Sequence, residues 1–422
     1  MRIVLHNPHI SPWYKVGVGD IYNRVRSVQK YSYIFDFLYN RECKVYVYID
    51  NIATSLSCGV VEFWTWVVIN KFNPFKFVII TDLQKLTSND VFITFIYRNF
   101  ATIDGKMRKE NVRFIESLRA CRAYKVAQLS HYGYHTAMGS NNAKEAKIDL
   151  LVSESNLSKN SSYFRYHYGW YEKDVYVMPF VPKDRFQVKT DFSLRKRKAL
   201  ATGTLTYPID DENFTSFFGG RILQPMRKEI YANSELVKEK CDSFISDASE
   251  HKREGGAPVK KWRGYNRFSG GVLWEIKKRA RLALYILRIY FTRVSQRVYQ
   301  GDREYMKFDI VGLYNKYMMF VNPEEIIGLP GIGFVEGMAC GCAYIGLDSS
   351  IYSDIGMKQG VHYIAYDGTL SDLCDKISYY QENEDELEEI AGNGKKFIRD
   401  NNDPIKIMES FLQFLSFETQ NR

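Results

Sequence analysis

The chain has 422 residues, is 45% apolar and 15% aromatic, and sets 58 Lys+Arg against 49 Asp+Glu for a formal charge of +9. Residues 252–300 hold thirteen basic residues and two acids, so that block carries +11 and the remainder −2. General disorder is excluded by the apolar content, and a uniformly basic histone-like or ribosomal-type chain by the confinement of charge to one block.

In chain order, Arg2–His6 reads as a short apolar strand, followed by a loop with Pro8, Pro12, Gly17 and Gly19. Asp20 can cap a helix with Ile21, Val25, Val28, Ile34, Phe35 and Leu38 on one face. Lys44–Ile49 is the next strand. Strand, glycine loop, helix and strand form a βαβ unit and imply a parallel sheet. The stretch Ile52 to Asn70 is apolar, but Thr54, Ser55, Ser57, Gly59 and mid-segment Glu62 favour a buried helix or helix–strand piece over a membrane span. Further strands are expected at Phe75–Ile80, Val91–Tyr97, Tyr124–Leu129 and Leu150–Ser153. Asp174–Val181 then leads into irregular, charged sequence up to Lys198, which reads as a linker.

A second α/β series opens at Lys198–Thr202, followed by Gly203. Strands are expected at Tyr317–Val321, Ala343–Leu347 and His362–Tyr366. Helices are expected at Leu370–Gln381 and Asp385–Arg399, and a terminal amphipathic helix at Ile405–Phe417 after Pro404. The expected architecture is α/β: two Rossmann-like domains, 1–185 and 186–400, facing a cleft, with a basic insertion at about 250–300 and a C-terminal helix at 401–422 that packs back on the first domain. The seven cysteines are scattered, odd in number and without metal-site spacing, which reads as reduced thiols in a cytoplasmic protein. The opening MRIVLHNPHI lacks a charged region followed by an apolar stretch, so no signal peptide is expected.

The segment FVNPEEIIGLPGIGFVEGMACGCAYIGLD, residues 320–348, carries the most chemistry. It reads as strand, turn, glycine-rich loop, helix and strand. Gly331 and Gly333 free the backbone for close approach to a ligand, and the helix beginning near Phe334 turns its N-terminus toward an anionic phosphate. Glu336, in that first turn, suits hydroxyls such as those of a ribose rather than a phosphate. Together these describe a nucleotide-diphosphate pocket at a strand's carboxyl end.

The same segment resembles the donor-site signature of GT-B glycosyltransferases of the group 1 type. Asn322-Pro323 stands where that family has Pro-Ser, and Glu336-Gly337-Met338-Ala339-Cys340-Gly341 matches its Glu-Ala-Met-Ala-x-Gly run. The resemblance covers roughly 310–400 and is architectural over 1–200. It implies a nucleotide-sugar donor, a sugar acceptor, a ribose contact at Glu336 and retention of anomeric configuration. The family's first Glu, eight positions upstream, falls on Gly328. Either Glu324 or Glu325 takes its place through an altered loop, or its role is lost.

Leaving-group phosphates call for positive charge. Arg221, Arg227 and Lys228 lie where the family places its Arg/Lys pair, and position favours Arg221 and Lys228; Gly203 and Thr204 stand at the domain's first turn as donor contacts. On the acceptor side, Gly17 and Gly19 resemble the glycine loop facing the cleft. His131 and His135 follow a strand end, where a histidine binds sugar hydroxyls or acts as base. The adjacent pair Asp210-Asp211 sits in a loop, and no Asp-x-Asp follows a mid-chain strand, so neither a metal nor another cofactor is expected.

The basic block opens with loop-like sequence containing Trp262, and 272–298 reads as a helix with an apolar stripe, Trp274 at its edge and Lys277, Lys278 and Arg281 among its cations. This pattern suits an anionic bilayer surface at the inner face of the plasma membrane, consistent with a lipid-linked or surface-polysaccharide acceptor. For the block itself, a surface helix docked on the protein with solvated charges is a second reading; no nucleic-acid module is recognisable, so nucleic-acid binding is the weaker alternative. A catalytically silent scaffold of a polysaccharide assembly complex is the other, and Gly328 is its main support.

Overall fold

The computed structural model describes residues 1–8, 31–50, 59–69, 71–94, 100–101, 107, 109–129, 132, 135–206, 212–247 and 309–422. Their strands form two parallel sheets. The first contains β1 (Arg2–His6), β2 (Val45–Tyr48), β3 (Phe77–Ile80), β4 (Asp90–Thr94), β5 (Tyr124–Gln128), β6 (Leu150–Ser153) and β7 (Tyr176–Val177), in the order β3-β2-β1-β4-β5-β6-β7. The second contains β8 (Lys196–Leu205), β9 (Cys241–Asp247), β10 (Tyr317–Val321), β11 (Ala343–Leu347) and β12 (Ile364–Tyr366), in the order β12-β11-β10-β8-β9. Central strands β4, β5, β6 and β10 are buried along their whole length, as parallel strands covered by helices on both faces require.

Several expectations shift in detail. The helix predicted from Asp20 is described over Ser32–Arg41, with Tyr31 at its N-cap in a non-helical conformation, and the part of the prediction before Tyr31 lies outside the described residues. The apolar segment contains the helix Gly59–Ile69, which buries Phe63, Trp66 and Val67 against Phe35 and Phe77. Among the described residues no helix is long and apolar enough to cross a membrane. Strand β9 was not expected. Asp242 and Ser246 give it a polar reading, yet Asp242 is held at the sheet by Tyr317 Oη (2.6 Å) and Lys196 Nζ (3.0 Å).

The chain passes between the sheets twice. Over 178–195 it buries Phe180 and Phe186. It returns through Asn402, whose side chain donates to Phe180 O (2.7 Å), into the helix Pro404–Gln420, capped by Asp403. That helix lays Ile407, Met408, Phe411 and Leu415 into the first sheet's core, and its Glu418 accepts from Tyr124 Oη (2.9 Å) and Lys173 Nζ (2.8 Å). Phe411 is fully buried beside Tyr176. Phe411→Ala is expected to cost about 3–5 kcal/mol in chemical denaturation, by lost burial and the cavity left behind.

The carboxyl edges of the two sheets meet. Tyr132, which follows β5, and Ser155, which follows β6, donate to the carbonyls of Ile327 and Gly328, which follow β10. Lys159 pairs with Asp354 (2.5 Å), and Ser350 donates to Asn160 (2.5 Å), joining the segments after β6 and β11.

Candidate functional site

The site is built on β10. Its last residue is followed by Asn322, whose side chain lies under the glycine-rich loop. A Cβ at Gly331 would stand 2.2 Å from Asn322 Nδ2, and one at Gly333 would stand 2.9 Å from Asn322 Cγ and from Tyr314 Oη. Both glycines are therefore demanded by the chain's own packing, an addition to the sequence reading, which assigned them to ligand approach alone. The helix Gly333–Ala339 then crosses β10 so closely that a Cβ at Gly337 would meet the Phe320 ring at 2.4 Å. Gly337→Ala is expected to cost about 1–3 kcal/mol, read as a lower melting temperature, since the ring is caged by Tyr314 and Tyr344.

Glu336 sits in the first turn of that helix, with Phe334 and Val335 buried beneath it. It is partly buried, and its carboxylate makes no hydrogen bond to another described residue. Burial pushes its carboxyl up to about 7, and the Arg185 guanidinium pulls the other way. A desolvated carboxylate without a hydrogen-bond donor is costly to the fold, and such groups concentrate where a ligand supplies the missing donors.

The two upstream glutamates do different work. Glu324 is buried and accepts from Tyr344 Oη (3.0 Å), Leu347 N (2.9 Å) and Tyr352 Oη; burial raises its carboxyl and these donors oppose the rise. It ties β10 to β11. Glu325 accepts from Gln224 Nε2 (3.2 Å), and its backbone closes a turn with Leu329. Gly328, at the position of the family's first Glu, has φ +91°, and a Cβ there would lie 3.0 Å from Asn160 O and from Ser161 Cβ. This conformation, packed against the first domain, has no room for a glutamate.

Gly203 and Thr204, read from sequence as a turn, lie inside β8. Gly203 has φ +127°, and the Arg227 guanidinium rests where its side chain would be; Arg227 Nη1 donates to Thr204 O (2.9 Å). Of the three cations, the buried one packed against β8 is thus Arg227, whereas Arg221 and Lys228 are exposed. Periodicity distinguishes them: in the helix Pro225–Ala232, Met226, Arg227 and Ile230 form the buried face. His135 has φ +50° and stands at the N-cap of the helix Thr136–Glu145, where its carbonyl accepts from Gly139 N (3.0 Å). Gly17, Gly19, His131, Asp210, Asp211, Trp262, Trp274, Lys277, Lys278 and Arg281 lie outside the described residues. Among the described residues, no group of three or more His, Cys, Asp or Glu could hold a metal.

Sequence reasoning missed a polar network at the carboxyl edge of the first sheet. His6, fully buried, sets Nε2 2.5 Å from Asp50 Oδ2 and Nδ1 2.9 Å from Thr94 Oγ1. Asn7 Nδ2 donates to Asp50 Oδ1 (2.8 Å), and Asp50 N donates back to Asn7 Oδ1 (3.1 Å). The network locks β1, β2 and β4 together at the edge where open parallel sheets receive ligands. The residues lie at or just past the ends of three strands far apart in sequence, so no spacing announces them.

No family profile matches the chain, and no curated protein does. Among solved structures, it is similar to a glycosyltransferase from Rickettsia africae (11% identity, 100% of this chain and 99% of that one, TM-score 0.49). It is also similar to HepE of Anabaena, solved in complex with UDP and glucose (13% identity, 99% of each chain, TM-score 0.47). A third is TarM (11% identity, 78% of this chain, TM-score 0.41), of which the chain spans 55%.

Proposed function

We propose that the chain is a GT-B glycosyltransferase. It binds a nucleotide-sugar donor on the second domain and passes the sugar to a hydroxyl of a lipid-linked or surface-polysaccharide acceptor at the facing edge of the first. The observation that carries this reading is Glu336, a partly buried carboxylate with no hydrogen bond to a described residue, beside a glycine loop at a strand's carboxyl end. In this reading its oxygens accept from the ribose hydroxyls, and burial at the closed edge makes those bonds count. Arg221 and Lys228 remain assigned to the departing diphosphate by position. Retention and independence of metal rest on the family resemblance. The basic block would hold the enzyme at an anionic cytoplasmic membrane face. Co-sedimentation with anionic vesicles at low salt tests this, and an absence of binding there would end the membrane assignment.

Transfer or hydrolysis of UDP-, GDP-, CMP- or dTDP-sugars by the full chain tests the activity. Turnover with one of them, lost in Glu336→Ala, supports the reading. A second reading, a catalytically silent scaffold, is favoured by the turn at Gly328, which fills the position of the family's first glutamate with a domain contact. Absence of turnover with every donor, together with retained nucleotide binding, would select it.

Glu336 also sets a pH dependence. Its carboxylate form accepts two hydroxyls, whereas its protonated form must donate. Affinity for a nucleotide sugar, whose phosphates do not titrate near neutrality, is expected to rise as pH increases from 6 to 8 through the value of about 7. Calorimetric titration across that range checks it.

A further inference from the structure

We propose that Tyr132 and Ser155 are positioning residues that couple the first domain to the donor loop of the second, through a hook formed by residues 325–329. The hook is a closed turn: Glu325 N donates to Leu329 O (2.8 Å) and Gly328 N to Glu325 O (2.9 Å). Ile326 N anchors it on its own domain by donating to Leu223 O (2.7 Å). Its tip enters the first domain. Ile327 is fully buried and Leu329 nearly so, in one apolar cluster with Leu157, Tyr163 and Phe164.

Two hydroxyls fix that tip. Tyr132 Oη donates to Ile327 O (2.5 Å) and lies 2.9 Å from Ser161 Oγ. Ser155 Oγ donates to Gly328 O (2.5 Å). Consecutive carbonyls held from a second domain define both the position and the orientation of a backbone. At Gly328 the backbone lies so close to Asn160 and Ser161 that even a methyl group would make them give way by a few tenths of an ångström. One residue, Pro330, separates the hook from Gly331. From Gly331 the chain has little freedom, because Asn322 and Tyr314 fill the space under the loop as far as Gly333. The position of the first turn carrying Glu336 is thereby set in part by hydroxyls that never touch the donor.

This inference rests on the donor site proposed above, and its test separates the two. The full chain, Tyr132→Phe, Ser155→Ala and the double variant are compared at a temperature where all are folded. Amide hydrogen exchange over 326–336 and titration with UDP are the readouts. The double variant is expected to exchange faster at 326–329 and also at 332–336, and to bind UDP about tenfold more weakly, as loss of one buried hydrogen bond's worth of preorganisation implies. Each single variant should lie between. Faster exchange confined to 326–329 with unchanged UDP affinity would overturn the coupling, leaving the hook a packing contact. If the full chain binds no UDP, the donor reading fails on that nucleotide, and the spread of exchange into 332–336 still decides the coupling. If Tyr132→Phe does not fold, Ser155→Ala carries the same comparison.

Discussion

Glu336→Gln should be more stable than the wild type at pH 8 and bind the nucleotide-sugar donor some ten- to a hundredfold more weakly. The two effects have one cause. Burial raises the carboxyl from 4.5 to about 7 in the fold. A raised acid means that the folded state holds its proton more tightly than the unfolded chain does. Stability is therefore fully present below pH 4.5, is lost as pH rises toward 7, and stays lower above it. The glutamine cannot ionise and escapes that loss, which is about 1–3 kcal/mol once partial exposure is allowed for. The affinity loss follows because hydrogen bonds to a charged acceptor contribute about 1.5–3 kcal/mol each, and the amide replaces one acceptor oxygen by a donor. Melting temperatures at pH 5 and pH 8 and a donor titration measure both. Equal melting temperatures at both pH values would mean that the carboxyl is not held up by the fold.

Arg195→Leu is expected to destabilise the second domain by about 3–4 kcal/mol and to weaken donor binding in the fraction that folds. Arg195 is buried, and its guanidinium donates to Thr190 O (2.9 Å), Cys340 O (3.0 Å) and Gly341 O (3.0 Å). The last two are carbonyls at the C-terminal end of the Glu336 helix, where Gly341 turns the chain with φ +72°. A cation at a helix C-terminus is favourable, and removing this one leaves several buried carbonyls without a donor. Leucine fills the volume and cannot supply the bonds. Urea denaturation gives the stability loss. A loss below 1 kcal/mol would show that water reaches those carbonyls.

Much of the fold could be read from the sequence because both sheets are parallel and buried. Strands β1, β6, β10 and β11 fall on the expected residues, since a short apolar run bounded by turns has one natural placement. Strand β9 escaped because Asp242 and Ser246 look like loop residues until Tyr317 and Lys196 are placed beside them. The Glu336 helix was legible from its glycines and its position after a strand. What the glycines do was legible only in part: Asn322 and Phe320 explain Gly331, Gly333 and Gly337 by collision, which spacing cannot show. Gly203 was misread as a turn for a related reason, since its positive φ within β8 makes room for Arg227. The gap at Gly328 was visible as a departure from the family pattern. Its physical reason, a turn pressed into Asn160 and Ser161, lies in a contact between residues about 170 positions apart.

The proposed nucleotide-sugar site lies on the second domain and is organised by Glu336. A thermal-shift titration of the full chain and of Glu336→Ala with UDP, GDP, CMP, dTDP and their sugars tests it most directly. The expected result is a concentration-dependent rise in melting temperature with one nucleotide series, because a ligand bound by the folded state alone stabilises it by mass action, and a much smaller rise in the variant. No shift with any series at millimolar concentration, or the same shift in the variant, would contradict it.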